Sequence, residues 1–430
     1  MARLGAFCFP ATGHLNPMLA LARALQKRGH QVVLFGIPDT EAQVRAAGIE
    51  FHSVGVGEYP LGTLRKLDDQ ISRLTGLATL RFTLERIRNL ARMEMRDGPR
   101  AVREAGVEAL LVDEADFSGN VADLLGLPWI SIALLPPLVY DDRFPPFWFG
   151  WAAREDTLGR LRNRIAMRVL LRMGAAVFVE VNRQRVAWGL KAHARPTDWL
   201  SPVAQITQLP AAVEFQLRGE KPRDLHYTAP FVDPQQRPAI DFPWERLDAR
   251  PLIFASLGTF QNGLLEIFRT IAAACAGLDA QLVIALGGGL DPTELGSLKG
   301  DPLVVRYAPQ LELIKRAALV ITHAGINTAL ESLSEGVPLV AIPLGNDQPG
   351  VAARVKARGA AVVLSRHRLT PARLRTAVRL VLEDGRYRAA AQDLQRAIRQ
   401  MDGPWRAAEL IEGALKLQPM PHLEKAVTAP

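Results

Sequence analysis

The sequence predicts an α/β protein of two doubly wound domains in tandem, and three observations carry that prediction. Apolar runs of strand length alternate with segments of helical period, the pattern of parallel sheets covered by helices on both faces. The alternation comes in two series, one opening at residue 3 and the other at residue 251. Between them, residues 193 to 250 hold many Pro and polar residues and little periodicity, including "FVDPQQRPAIDFPWERLDARP", which is a linker composition. The 430 residues suit two domains of ordinary size. The expected division is 1–225, a linker over 226–250, a second domain over 251–402, and a final helix and tail over 403–430.

In the first series "RLGAFCFP", "HQVVLFGIP" and "ALLVDE" read as strands. A helix is expected from Pro17 to about Arg28, stopped by Gly29, because Pro favours a helix start and Gly the position just past its end. The second series runs through "PLIFASLGT", "AQLVIALGG", "PLVVRYAP", "ALVITHAG", "VPLVAIP" and "AAVVL". Its best-defined helix, "INTALESLSEG", closes at Gly336. "GPWRAAELIEGAL" reads as a final helix.

Composition narrows the partners. Basic residues number 52 against 44 acidic, a formal net charge of +8, which suits an anionic ligand, nucleic acid or an anionic membrane surface. Neither a zinc-finger spacing nor an RNA-recognition aromatic motif is present, so nucleic acid is not expected. No apolar run is long enough to span a membrane, and the first residues lack the features of a cleavable signal. Cys8 and Cys275 each lie inside an apolar segment, which predicts two buried free thiols and a cytoplasmic protein.

Most of the chemistry lies in "RYAPQLELIKRAALVITHAGINTALESLSEGVPLVAIPLGNDQPGVAARV". A buried strand, a tight turn and a helix put backbone amides and a positive dipole end at the strand's C-terminal edge, a ready anion site. His323 can donate to a phosphate there, and Asn327 and Thr328 can add donors from the first turn; they could equally cap the helix. Glu331 lies on the same helix face, about 6 Å further along the axis, where a carboxylate can accept both hydroxyls of a ribose. Asp347 and Gln348 leave "VPLVAIP" at its C-terminal end, placed either to bind sugar hydroxyls or to cap the helix before Pro349.

These residues resemble the donor signature of the UDP-sugar glycosyltransferases of family one. Tyr307, Ala308, Pro309, Gln310, His323, Gly325, Asn327, Glu331, Gly336, Val337, Pro338, Pro343, Asp347 and Gln348 fall on it. The resemblance is nearest to the bacterial zeaxanthin glucosyltransferase and macrolide glycosyltransferase subgroup. It implies the GT-B fold, two Rossmann-like domains facing across a cleft. Tyr307 would then flank the uracil with Gln310 beside it. His323, Asn327 and Thr328 would hold the diphosphate, Glu331 the ribose, and Asp347 and Gln348 the sugar. Ser256, Gly258 and Thr259 would face the same phosphates from another strand end. Plant members usually carry Trp where Tyr307 and Ile326 stand; Tyr307 keeps a stacking face, whereas Ile326 removes one near the sugar.

The first half supplies "FCFPATGHLNP". In the resembling family a Gly-His, two further residues and a Pro carry the general base, and His14 matches. An imidazole titrates near pH 6.5 and can take a hydroxyl proton; a carboxylate on its other nitrogen would fix the tautomer. Asp113, ending "ALLVD", is the expected partner, with Asp116 the competitor. Taken alone, His14 could be an ordinary loop histidine, and "PATGHLNP" makes a poor phosphate loop because no Lys-Ser/Thr follows.

On the acceptor side, "PPLVYDDRFPPFWFGW" gathers aromatics, among them Phe144, Phe147 and Trp148, which are expected to line a lipophilic acceptor pocket. The Arg-rich stretch 154–172 reads either as a soluble helix or as an interfacial helix on an anionic membrane. By family analogy the helix from about 403 crosses back to the first domain. The resemblance implies an inverting transferase moving glucose from UDP-glucose to a hydroxylated carotenoid, polyphenol or polyketide. No Asp-X-Asp occurs, so no metal is expected. A UDP-sugar 2-epimerase of the same fold and a non-catalytic accessory protein are the alternatives.

Overall fold

A computed structural model describes residues 1–72, 74–217, 224–237, 239–259, 263–288 and 290–417. Residues 418–430 of the expected tail, and Gly289 of the "GGGL" run, lie outside the described residues. Two parallel sheets organise the chain. The first holds β1 (Arg3–Phe7), β2 (Gln31–Gly36), β3 (Glu50–Ser53), β4 (Ala109–Asp113), β5 (Trp129–Ala133), β6 (Gln205–Thr207) and β7 (Leu225–Tyr227), in the order β3-β2-β1-β4-β5-β6-β7. The second holds β8 (Leu252–Ser256), β9 (Gln281–Ala285), β10 (Leu303–Val305), β11 (Ala317–Thr322), β12 (Leu339–Ala341) and β13 (Ala361–Val363), in the order β10-β9-β8-β11-β12-β13.

Helices cover both sheets: α1 (Thr12–Lys27), α2 (Glu41–Ala46), α3 (Thr63–Ile71), α4 (Leu77–Ala105), α5 (Gly119–Leu125), α6 (Thr157–Met173) and α7 (Ala175–Ala187) go with the first. With the second go α8 (Leu265–Cys275), α9 (Gln310–Arg316), α10 (Ile326–Ser334), α11 (Gln348–Ala357), α12 (Pro371–Glu383) and α13 (Gly385–Arg399). Every residue of β4, β5 and β8 is buried, as all-parallel strands covered on both faces require.

In each sheet the strand order reverses once, between β1 and β4 and between β8 and β11. Helices leaving two such strands diverge to opposite faces, so a crevice opens at their C-terminal ends. His14 and Asp113 flank the first crevice; Ser256 and His323 flank the second.

The chain crosses between the sheets twice. The first crossing follows β7, which runs two residues past the expected boundary at 225. The second brings α14 (Gly403–Leu415) back to the first sheet, where Ala407, Ala408 and Ile411 join the core around Leu4, Met18 and Leu21. Arg28 grips Glu412 with two bonds of 2.7 and 2.6 Å, and His30 Nε2 lies 3.0 Å from the same carboxylate. At the start of α14, Gly403 lies against the carbonyl oxygens of Ala229 and Pro230, too close for a Cβ to fit.

One expectation is corrected in α1. The helix starts at Thr12, not Pro17, and Pro17 sits inside it. Pro17 has no N–H for the Gly13 carbonyl one turn earlier. That carbonyl instead accepts from Asn327 Nδ2 at 2.7 Å, a bond from the other domain that satisfies the acceptor the proline leaves free.

Candidate active site

His14 therefore stands in the first turn of a helix and not in a loop. The extended Ala11 turns the chain from β1 into α1, and the His14 amide donates to Ala11 at 2.9 Å. Its imidazole is buried, with Nδ1 2.6 Å from Asp113 Oδ2. Asp113 is locked in turn. Oδ2 accepts from the Phe9 amide at 3.2 Å and Oδ1 from the Ala115 amide at 3.1 Å. A carboxylate so held selects the tautomer that donates from Nδ1, leaving Nε2 as the basic nitrogen.

Burial pulls the His14 pKa down, but the Asp113 charge and hydrogen bond, with Asp347 behind them, outweigh both burial and Arg86 and hold it above the ordinary value. Asp116, the competitor, takes the Ser118 amide at 2.7 Å, and burial lifts its carboxyl to about 6. Arg86, which nothing in the sequence marks, reaches the Pro10 carbonyl at 2.8 Å and lies over the Phe9 ring, bracing the turn that leads into α1.

Across the cleft, β11 delivers His323 into a slot between two glycines. A Cβ on Gly258 would come within 2.6 Å of its Cε1, and one on Gly325 within 2.6 Å of its Nε2. Burial pushes the His323 pKa down to about 4, against a hydrogen bond with the Ser256 backbone, so the ring is neutral at pH 7 and one nitrogen carries a proton to donate. Ser256 accepts the Gly258 amide at 3.3 Å, and Thr259 is exposed at the rim. Neither Gly325 at the head of α10 nor Asp347 at the head of α11 has a side-chain cap, so the capping alternatives for Asn327, Thr328 and Asp347 are set aside.

Gln310 Nε2 bonds Glu331 Oε2 at 2.6 Å and Thr328 Oγ1 at 3.3 Å. The other Glu331 oxygen pairs with Arg237, a residue of the first crossing that belongs to no motif. Tyr307 is 51% exposed and lies over Gly288, open to a planar ligand. Asn327 departs from expectation. Its Nδ2 is committed to Gly13, and its Oδ1 accepts from Gln208 Nε2 at 3.1 Å, so it ties the two domains together.

Asp347 is buried, and its Oδ2 has no hydrogen-bond partner among the described residues. Burial lifts its carboxyl to about 6, with His14 acting the other way. Gln348 Oε1 accepts the Leu344 and Gly345 amides at 2.7 and 3.0 Å, which fixes the loop before it.

His14, Ser256, Gly258, Thr259, Tyr307, Gln310, His323, Glu331, Asp347 and Gln348 line one cleft of about 1790 Å³, with Asp113, Asp116, Arg86 and Gln208 set behind its wall. Its first-domain end includes an apolar wall of Leu84, Ile87, Phe117, Met167, Leu170 and Leu171, with Asp68, Asp69 and Glu114 also on the lining. Phe147 and Trp148 line it as a stacked pair, ring centroids 3.9 Å apart. Phe144 is corrected: it packs with Phe215 and Ala353 in a separate apolar cluster, away from the cleft wall. The short "FPPF" turn sends it inward, so proximity in sequence to Phe147 misplaces it.

Comparison with known proteins fits this geometry. A family model described as UDP-glucoronosyl and UDP-glucosyl transferase matches residues 244–407, and one described as the glycosyltransferase family 28 N-terminal domain matches 11–103. A zeaxanthin glucosyltransferase of Pantoea ananas is 32% identical over 430 residues, covering 96% of each chain. The chain belongs to the UDP-glucuronosyl and UDP-glucosyl transferase family. This glycosyltransferase is also 28% identical to the 4'-demethylrebeccamycin synthase of Lentzea aerocolonigenes, over 94% of its own length and 97% of the relative's. Among solved structures it resembles the glycotransferase of kitacinnamycin, with a TM-score of 0.76, 26% identity and 96% and 99% coverage. It shares the GT-B fold with the glycosyltransferase VinC in complex with DTDP, TM-score 0.70 at 20% identity, over 96% and 100% of the two chains. The enzyme thus takes a nucleotide-sugar donor and a small-molecule acceptor.

Proposed function

We propose that this glycosyltransferase transfers glucose from UDP-glucose to a hydroxyl of a lipophilic acceptor with inversion, His14 acting as general base. The observation that carries the reading is the 2.6 Å contact of His14 with a locked Asp113, facing the unpartnered carboxylate oxygen of Asp347 in the same cleft. His14 Nε2 takes the acceptor proton, and the freed oxygen attacks the anomeric carbon as the bond to the diphosphate breaks on the opposite face. Asp113 stabilises the imidazolium that forms.

His323 donates to the departing diphosphate together with the amides heading α10, and these donors meet its charge without a metal ion. Glu331, with Gln310 beside it, receives the ribose, and Tyr307 offers its ring to the uracil. Asp347 accepts from the sugar hydroxyls while Gln348 holds its loop. The apolar wall favours carotenoid, polyphenol or polyketide alcohols, in keeping with the relatives named for zeaxanthin and rebeccamycin chemistry. Both thiols are buried and unpaired, with burial pushing Cys275 up to about 12, which suits the reducing cytoplasm.

The test is UDP release from UDP-glucose with a panel of lipophilic alcohols, comparing wild type with His14→Ala and product anomers by NMR. Undiminished transfer in the variant, or retained configuration, would sink the mechanism. Preference for another nucleotide sugar would correct the donor alone.

A further inference from the structure

Helix α6 has two apolar faces, and the described residues cover only one. Inward, Gly159, Asn163 and Ala166 are buried, and Met167, Leu170 and Leu171 form cleft wall. Outward stand Leu158, Leu161, Ile165 and Val169, exposed by 69, 46, 52 and 50%. Spacings of three, four and four residues put these on one stripe of the helix, roughly opposite the cleft face. A soluble helix ordinarily hides its one apolar stripe and presents polar residues outside; a continuous exposed aliphatic ridge marks a contact surface.

Charge identifies the contact. From Thr157 to Met173 there are five Arg and no acidic residue. Arg160 and Arg164 share Asp142, each through a 2.6 Å bond, while Arg168 and Arg172 have no ion-pair partner among the described residues. A second copy of the chain is a poor occupant, because a two-fold contact would set this cationic helix against itself. Branched aliphatics flanked by Arg suit the headgroup and acyl boundary of an anionic bilayer, where the ridge buries and the guanidiniums reach phosphate.

We propose that the outer ridge of α6 seats the enzyme on an anionic membrane, so that a membrane-dissolved acceptor reaches the cleft past the same helix. This rests on the lipophilic-acceptor reading above. The two faces lie one helix diameter apart, about 10 Å, so a long apolar alcohol can leave the bilayer at the rim without crossing water.

The full-length enzyme is mixed with phosphatidylcholine vesicles, with and without phosphatidylglycerol, and bound protein is measured by flotation. Three forms are compared: wild type, the ridge variant Leu158→Glu with Ile165→Glu, and the charge variant Arg168→Glu with Arg172→Glu. None of these side chains lines the cleft. Wild type is expected to bind the anionic vesicles alone and to release as salt rises from about 0.05 to about 0.5 M. Each variant should bind at least about tenfold more weakly, a loss in line with removing apolar insertion or reversing two charges.

Transfer to a detergent-dispersed acceptor should be equal in all three forms, whereas transfer to a vesicle-held acceptor should fall with binding. Wild type that does not float, variants that float as wild type, or a wild-type dimer that the ridge variant dissociates would each overturn the proposal. Failure of transfer even from detergent would instead count against the acceptor reading, leaving flotation to judge the membrane contact.

Discussion

Asp113→Asn is the sharpest probe of the dyad. The 2.6 Å bond joins side chains that are 11 and 1% exposed, so solvent screens it little and it falls among charge-assisted hydrogen bonds. Replacing the carboxylate by an amide removes both effects of Asp113 that raise the His14 pKa and leaves burial and Arg86 lowering it against the weaker Asp347 charge. The neutral base should then persist to lower pH, and the acid limb of kcat/KM should move down. In wild type that limb should lie above the ordinary imidazole value, because the proton must be lost before His14 can accept another.

The rate moves the other way. A hydrogen bond to a charged partner contributes about 1.5–3 kcal/mol, and the imidazolium forms only as the reaction proceeds, so kcat should fall about 10- to 150-fold. Initial rates of UDP release from pH 5 to 9, at saturating donor, measure both effects. A variant with kcat within twofold of wild type, or with its acid limb unmoved, would refute the argument that Asp113 acts through His14.

Three other perturbations test separate parts of the molecule. Asp347→Asn should stabilise the fold while weakening donor use. The folded carboxyl holds its proton to about 6 against 3.8 ordinarily, so ionising it costs the folded state nothing below 3.8 and up to about 3 kcal/mol above 6. Melting curves should show the variant more stable at pH 8 and level with wild type near pH 3.5, with a raised donor KM. Gly258→Ala places a Cβ 2.6 Å from His323 at a φ of +73°, at a cost of about 1–3 kcal/mol, so calorimetry should find weaker UDP binding and a lower Tm. Unchanged binding would show that His323 need not occupy that slot.

Glu412→Ala unclasps α14. Burial raises the Glu412 pKa, but its bonds to Arg28 and His30 outweigh that and hold it below the ordinary 4.5. Its contribution is therefore present above 4.5 and lost as pH falls through the lower folded value. Urea unfolding should lose about 3 kcal/mol at pH 7 and progressively less as the pH is lowered below 4.5; a loss that does not change with pH would assign the effect to packing.

The fold was legible where burial forces a continuous apolar run, as in "LIFAS" and "AALVIT", and less so elsewhere. β6 and β7 have three residues each, too short for any period to show, and they fall inside the Pro-rich stretch that reads as linker. The start of α1 departs from expectation because Pro17 is a good first residue; that the Gly13 carbonyl it leaves free would find Asn327 more than 300 residues away depends on domain packing.

In the candidate site, His14, Asp113, His323, Glu331 and Asp347 were nameable because strand ends and first helical turns have fixed positions at a sheet edge. Arg237, Gln208 and Arg86 were not, since a lone polar residue in a crossing or a long helix carries no pattern until its partner is known. Phe144 failed for the opposite reason, an aromatic cluster whose members face different ways.

The contact of Gly403 with Ala229 and Pro230 bears on the width of the cleft. Both strands of chain that join the domains touch there, with no room for a Cβ between them. A methyl wedged at that point would push the two crossings apart and tilt one domain against the other, moving the distant cleft walls further than the crossings themselves. The gap across which base and donor meet is thus set in part by a residue that touches neither.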